Sequence, residues 1–475
     1  MQHIPLGLTY EDVLLVPKKT PLHSRSQANI RSYFTKNIAL NTPFVSANMA
    51  TVTEHKMAIA LAREGGLGII HQFGTLEEEV YEVKQVKKST SNIIDHPISI
   101  SPRATLQEAK ELMHQENVTS LLVMNGEELV GIFTHRDYLF ETDLNKAVRE
   151  MMTPKEKLVT AEYGITLEEA KKVLHQSRIE KLPLLQNGQV RGLITTQDIC
   201  KLEHWPEASR DKKGRLMVGA AIGVKGTIER AEALIAAGVD VLVLDVAHAH
   251  SDGVIQCLRE IKANFSVDVM VGNIATAEAA QDLIEAGADG LKVGIGPSPV
   301  CTTRVMSGAG VPQLTAVMNV VKVAKNYGVP VTADGGMKYP GDVAKAIAAG
   351  ASSIYSGSFF AGTDESPGMI IMKDGKRYKK YAGSASYDSN HIRKEHELGK
   401  HLKEKIDIFV EGIATLVDYK GAVEDVVKGL RKGLQSAISY CGATNIREMQ
   451  DNAEFIQITS SGWQESLGRG NKVSE

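Results

Sequence analysis

The sequence predicts a closed barrel of alternating strands and helices whose chain is interrupted by a pair of repeated units, and three observations carry this. From residue 216 onward, short apolar runs alternate with amphipathic stretches that end in glycine, the cadence of a parallel sheet with crossover helices. Two segments, 104–137 and 165–198, align without a gap at an offset of 61 residues. The barrel cadence is also present upstream of them, at 41–80, so the repeats interrupt the barrel's own sequence. A chain of 475 residues, 43% of them hydrophobic, is long enough for two or three compact units.

In chain order, TPFVSANM supplies an apolar strand, a helix begins near Glu54, and GGLGIIH forms the next strand. Each repeat then reads as an amphipathic helix (TLxEAKxxxHQ), an apolar strand, a turn containing Asn-Gly, a second strand, and a Thr-x-x-Asp that opens another helix. One such unit cannot bury both its faces, so the two are expected to pack as a pseudo-symmetric pair. Thr134, Asp137, Thr195 and Asp198 then stand at equivalent cleft mouths, although Thr-x-x-Asp is also what an ordinary helix N-cap looks like. After the insert come LMVGAAIG, VDVLVLDVA, VDVMVGN and ADGLKVGIG, with Gly238 and Gly287 where helix C-caps belong. The expected division is 1–92 for the first part of the barrel, 93–204 for the inserted pair and 205–475 for the rest, with a charged, poorly periodic flap over 373–410.

A net charge of −3 excludes the broad basic surface that binds nucleic acid through counterion release. Cys200, Cys257, Cys301 and Cys441 are scattered with no CxxC or CxxH pair, which argues against a disulfide framework and against structural zinc. There is no signal-like start and no apolar run near the roughly 18 residues that span a bilayer. A cytoplasmic location is expected.

Reacting groups of such a barrel lie on the loops that follow the strands. LKVGIG is followed by PSPVCTTR, which puts Cys301 on a glycine-rich loop beside Thr302 and Thr303, a place for a nucleophilic thiol. Cys200 and Cys257 read as small buried hydrophobes, and Cys441 leans the same way. Two further turns, ADGGMKYPGD and YSGSFFAG, offer backbone N–H groups to a phosphate. Asp334 is placed to accept from ribose hydroxyls, and Gly335, Gly336, Gly357 and Ser358 to line the phosphate, though glycines also serve tight turns after strands. His248 and His250 in LDVAHAHS lack a third ligand at a suitable spacing, which argues against a metal centre. Lys373, Lys376, Arg377, Lys379 and Lys380 read as the solvated face of a hairpin.

The segments GLTYEDVLLVP, SANMATVTE, LDVAHAHSDGVI, GIGPSPVCTTR, GVPQ, ADGGM, GSFFAGTDESPG and DYKGAVEDVV resemble the IMP dehydrogenase and GMP reductase family over nearly all of the barrel. The repeats resemble the tandem CBS (Bateman) module, which occupies the insertion site that family uses. The resemblance implies a (β/α)8 TIM barrel, a homotetramer or octamer, attack by Cys301 on C2 of a purine nucleotide, and hydride exchange there with a nicotinamide cofactor. It further implies Tyr381, Gly383 and Ser384 on the substrate side, Asp245, Asn273 and Gly294 on the cofactor side, and a monovalent cation, K+, at the backbone carbonyls of Gly294, Gly296 and Cys301. In CBS modules the Thr and Asp hold a nucleotide's ribose, so Thr134, Asp137, Thr195 and Asp198 are implied as a site for regulatory purine nucleotides.

Dehydrogenases of this family hydrolyse the covalent intermediate with an Arg-Tyr pair on a mobile flap. From Tyr381 to Glu411 no such pair occurs; its places read Glu397 and Leu398, and the nearest arginine is Arg393. Reductases instead protonate a leaving ammonia through a Thr and a Glu, for which Thr303 and Glu411 stand. PKKTPLHSRSQANI and SANM also resemble the reductase pattern. Departures from the family are Ser298-Pro299 where Gly-Ser is usual, Ala50 in place of Asp, Gln72 in place of a basic residue, and an insert that most reductases lack. The expectation is an NADPH-dependent GMP reductase that converts GMP to IMP and ammonia. The alternatives are an NAD-dependent IMP dehydrogenase that forms XMP, and a non-catalytic purine nucleotide sensor.

Overall fold

Eight short apolar runs pair in parallel and close on themselves in the computed structural model of the chain, which describes residues 4–89, 94, 97–116, 118–398 and 410–468. They are β1 (Phe44–Ser46), β2 (Leu67–Ile70), β3 (Gly219–Ile222), β4 (Val241–Asp245), β5 (Asp268–Ile274), β6 (Gly290–Val293), β7 (Val331–Asp334) and β8 (Ser353–Ser356). The ring closes where β8 pairs with β1, with Ile354 opposite Phe44. Strands covered on both faces carry continuous apolar runs, and β2, β3, β6 and β8 are buried at every position. Helices connect them on the outside. The helix Thr227–Ala237 stops at Gly238, whose φ of +96° suits glycine alone among common residues.

The chain packs as two compact units, one comprising 1–89, 207–211 and 216–475, the other 90–206 and 212–215. In the second unit each repeat opens with a helix, Leu106–Gln115 or Leu167–Ser177, capped by Thr105 with Glu108 or by Thr166 with Glu169. Each helix packs on a hairpin, Ser120–Asn125 with Glu128–Thr134 or Lys181–Gln186 with Gln189–Thr195. Leu122, Leu129, Ile132 and Leu193 join the two hairpins in one apolar cluster, which is how the repeats bury the faces that neither could bury alone. Among the described residues no helix is long and apolar enough to cross a membrane.

Of the expected flap, Lys376–Ala382 forms an antiparallel sheet with Ile371–Lys373 and Ala414–Asp418, and Tyr387–Leu398 is helical. Its remainder, 399–409, lies outside the described residues. Lys379 does not share the solvated face of this hairpin; alternation along the strand turns it inward, where it donates to the carbonyls of Asp364 (3.3 Å) and Ser366 (2.6 Å). Cys200 is exposed rather than buried, because it follows Ile199, which fills the repeat core from the helix Thr196–His204, and successive helical positions face apart. Cys257 and Cys441 are buried as expected.

Candidate active site

The C-terminal ends of all eight barrel strands open into one cavity of about 1290 Å³. Residues from every strand end reach it, including Asn48, Gln72, Gly223, Asn273, Asp334 and Gly357. A pocket for a single small ligand occupies roughly 300–1,000 Å³. This one is larger.

Cys301 lies on the loop after β6. That loop leaves the strand through Gly294, at φ +149°, where a Cβ would stand 2.2 Å from the Asp334 carbonyl oxygen, so only glycine passes. Arg304 holds the loop from within by donating to the carbonyls of Ile295 (3.0 Å) and Val311 (2.6 Å). Burial lowers the pKa of this guanidinium, opposed by the nearby Cys301. The backbone of Glu411 and Ile413 runs alongside, with Thr302 N donating to Glu411 O at 2.8 Å and Ile413 N to Val300 O at 3.0 Å. This pairing brings a residue distant in sequence to the thiol. Cys301 Sγ lies 3.3 Å from Thr303 Oγ1, which donates to Glu411 Oε2 at 3.4 Å.

The cavity floor is a polar network that the sequence did not announce. Lys292, at the second-last position of β6 and 2% exposed, donates to Asp245 (2.7 Å), to Asp334 (3.0 Å) and to the side-chain oxygen of Asn273. Burial pulls the pKa of this amine down, but the two carboxylates outweigh it and leave it above the ordinary lysine value. Asn273 donates in turn to Asp334 (2.8 Å) and to the Gly294 carbonyl (2.6 Å). Asn48 donates to Asp245 (2.8 Å) and accepts from the buried Tyr355 hydroxyl (2.7 Å), whose pKa is raised by burial and then by both aspartates. The signal in the sequence was a lysine inside an apolar strand, since lysine is almost never fully buried unpaired.

On the far side, Gly335, Gly357, Ser358, Tyr381, Gly383 and Ser384 all line the cavity. Tyr381 is buried, which raises its pKa, and Ser298 also lines the cavity, so the displaced serine remains in the site. Gly336, next along the same turn, has φ +79°, and a Cβ there would meet Pro297 and Gln313. Lys292 joins Asp245, Asn273 and Asp334 in one network. His250 pairs with Asp282 at 2.8 Å, and among the described residues no cluster of His, Cys, Asp and Glu suits a metal ion. Gly294 and Gly296 line the cavity, but the Gly294 carbonyl already accepts from Asn273.

Within the insert, Thr134 and Asp137 bond to each other, with Thr134 N and Oγ1 donating to Asp137 Oδ2 at 2.6 and 2.9 Å. That is the N-cap arrangement. Thr195 ends the equivalent strand and is buried, and the side chains of Asp198, Arg393, Glu397 and Leu398 lie outside the described residues.

Residues 7–468 match the family described as the IMP dehydrogenase / GMP reductase domain. The inosine-5'-monophosphate dehydrogenase of Nitrosopumilus maritimus is 49% identical over 466 residues, 97% of each chain. The GMP reductase of Leishmania donovani is 45% identical over 478 residues, covering 98% of this chain and 96% of the relative. A solved GMP reductase from Trypanosoma brucei in complex with guanosine 5'-monophosphate superposes with a TM-score of 0.92 at 42% identity, covering 98% of both chains. A barrel whose strand ends gather a loop cysteine, a Thr-Glu pair and glycine-rich turns in one cavity, matched over nearly its whole length, belongs to the IMP dehydrogenase / GMP reductase family of oxidoreductases.

Proposed function

We propose that the chain is an NADPH-dependent GMP reductase that converts GMP to IMP and ammonia. The observation that carries this reading is the line Cys301–Thr303–Glu411, a thiol, a hydroxyl and a carboxyl group at hydrogen-bond spacing. The Cys301 thiolate adds to C2 of the purine and the bond from C2 to its amino group breaks. Glu411, through the Thr303 hydroxyl, delivers the proton with which the nitrogen leaves as ammonia. A reduced nicotinamide, when bound, would supply hydride to C2. The C2–S bond then breaks, which returns the thiolate and releases IMP. Loops after β7 and β8, where barrels of this class commonly hold phosphate, offer Gly335, Gly357 and Ser358 to the nucleotide, with Asp334 for its ribose. Asp245, Asn273 and Gly294 are assigned to the cofactor, and the volume of the cavity fits both molecules together.

No step in this chemistry needs an activated water. The one Arg-Tyr step in the sequence, Arg377-Tyr378, belongs to the hairpin, with Arg377 stacked over the Tyr419 ring at 4.4 Å. Oxidation of IMP to XMP with NAD is the second reading, favoured by the 49% identity to a dehydrogenase; it requires another base, such as Arg393. Nicotinamide absorbance distinguishes them. Loss of signal with GMP and NADPH, with ammonia released, is expected; a rise with IMP and NAD in its place overturns the reductase assignment, and silence in both favours a sensor.

The remaining assignments are part of the same proposal. K+ is assigned to the carbonyls of Gly294, Gly296 and Cys301, purine nucleotides to the insert as a CBS pair, and the chain to a cytoplasmic tetramer or octamer. Replacing K+ with Na+ in the assay tests the cation, and adding nucleotides during light scattering tests the insert and the oligomeric state.

A further inference from the structure

Four neighbouring strands each contribute one residue to the cavity floor: Asp245 from β4, Asn273 from β5, Lys292 from β6 and Asp334 from β7. Lys292 has three N–H donors, and three acceptors meet it, one on each of those residues. Its side chain is 2% exposed and its amine lies 5.0 Å from the centre of the Tyr355 ring. Nothing in the chemistry above calls for a cation here. The bonds of the amine, to Asp245, Asn273 and Asp334, are separate from the thiol's own line through Thr303 to Glu411.

We infer that Lys292 is a positioning residue that couples the two halves of the cavity, so that a purine nucleotide and a nicotinamide dinucleotide bind cooperatively. Asp334 Oδ2 accepts from both Lys292 and Asn273, whereas Asp245 is shared between Lys292 and Asn48. A ligand hydroxyl that donates to Asp334 draws off part of the negative charge facing the amine. The amine is then held more fully by Asp245, which fixes that carboxylate before the second ligand arrives. Ordering completed by the first ligand is not repeated by the second, and by linkage the effect is the same in either order. The inference rests on both molecules sharing this cavity, and not on which reaction follows.

The test reads binding rather than turnover, in the full chain with Cys301→Ala to prevent chemistry. The Kd of NADP+ is measured by calorimetry alone and with saturating GMP, then with IMP. With Lys292 intact, nucleotide is expected to tighten NADP+ binding about fivefold or more. Lys292→Met, checked for a cooperative thermal transition, is expected to bring that ratio within about twofold of unity, and Lys292→Arg to retain most of it. If Lys292→Met does not fold, Asp245→Asn removes one of the two carboxylates and carries the same expectation. No coupling with Lys292 intact, or undiminished coupling in a folded variant, overturns the inference. Coupling seen with NAD+ but not NADP+ supports it while counting against the NADPH assignment, and failure of both dinucleotides to bind overturns both.

Discussion

Asn273 donates its side-chain amide to the carbonyl oxygen of Gly294 at 2.6 Å, so a residue of β5 holds the first turn of the loop that carries Cys301. The same amide group bonds to Asp334 and accepts from Lys292, which leaves it one orientation. Three strands are thereby tied to the Cys301 loop through one side chain.

Asn273→Ala removes these three bonds and leaves buried partners short of a hydrogen bond. A loss of about 1–3 kcal/mol is expected, visible in the denaturation midpoint, together with a fall in kcat as the Cys301 loop loosens. Unchanged kcat would mean that Arg304 holds the loop without help.

Cys301→Ala is expected to abolish turnover while leaving nucleotide binding measurable. Thr303→Val and Glu411→Gln are each expected to lower kcat by about 100-fold or more with smaller effects on KM, because they act on the leaving nitrogen rather than on ground-state binding. Measured ammonia release should fall in parallel. If either variant keeps full activity, the Cys301–Thr303–Glu411 line is not the proton path.

Gly294→Ala places a Cβ 2.2 Å from the Asp334 carbonyl at a backbone angle that side chains rarely adopt. Displacement of β7 against β6 is expected to cost about 1–3 kcal/mol in chemical denaturation and to eliminate most activity. Gly226→Ala is the control, since its added methyl meets nothing within 4 Å and the strain at φ +60° stands alone.

Glu79 is buried beside Arg230, and burial, only partly offset by that guanidinium, pushes its pKa from 4.5 up to about 8. A raised carboxyl pKa means that the folded state binds the proton more tightly than the unfolded chain does. Its stabilising contribution is complete below about pH 4.5 and is lost as pH rises through 8. The Tm of the native chain should therefore fall relative to Glu79→Gln between pH 5 and 8 and level off above. A native chain that gains on the variant across that range would show that Arg230 keeps the glutamate ionised.

The sequence by itself determined the barrel and its interruption, because each rests on local patterns. Continuous apolar runs, glycine after helices and a gapless repeat report which residues form strands, where helices stop and where the insert lies. Cys301, Thr303 and Glu411 were likewise legible through motifs. What only the tertiary structure decided is which polar groups meet. Barrel closure set Asp245, Asn273 and Asp334 around Lys292. The inward turn of Lys379 and the exposure of Cys200 depend on which face of an element is covered. The physical reason is one of range. Backbone preference and apolar periodicity act over a few residues, whereas a buried charge takes its partners from strands far apart in the chain that the barrel brings side by side.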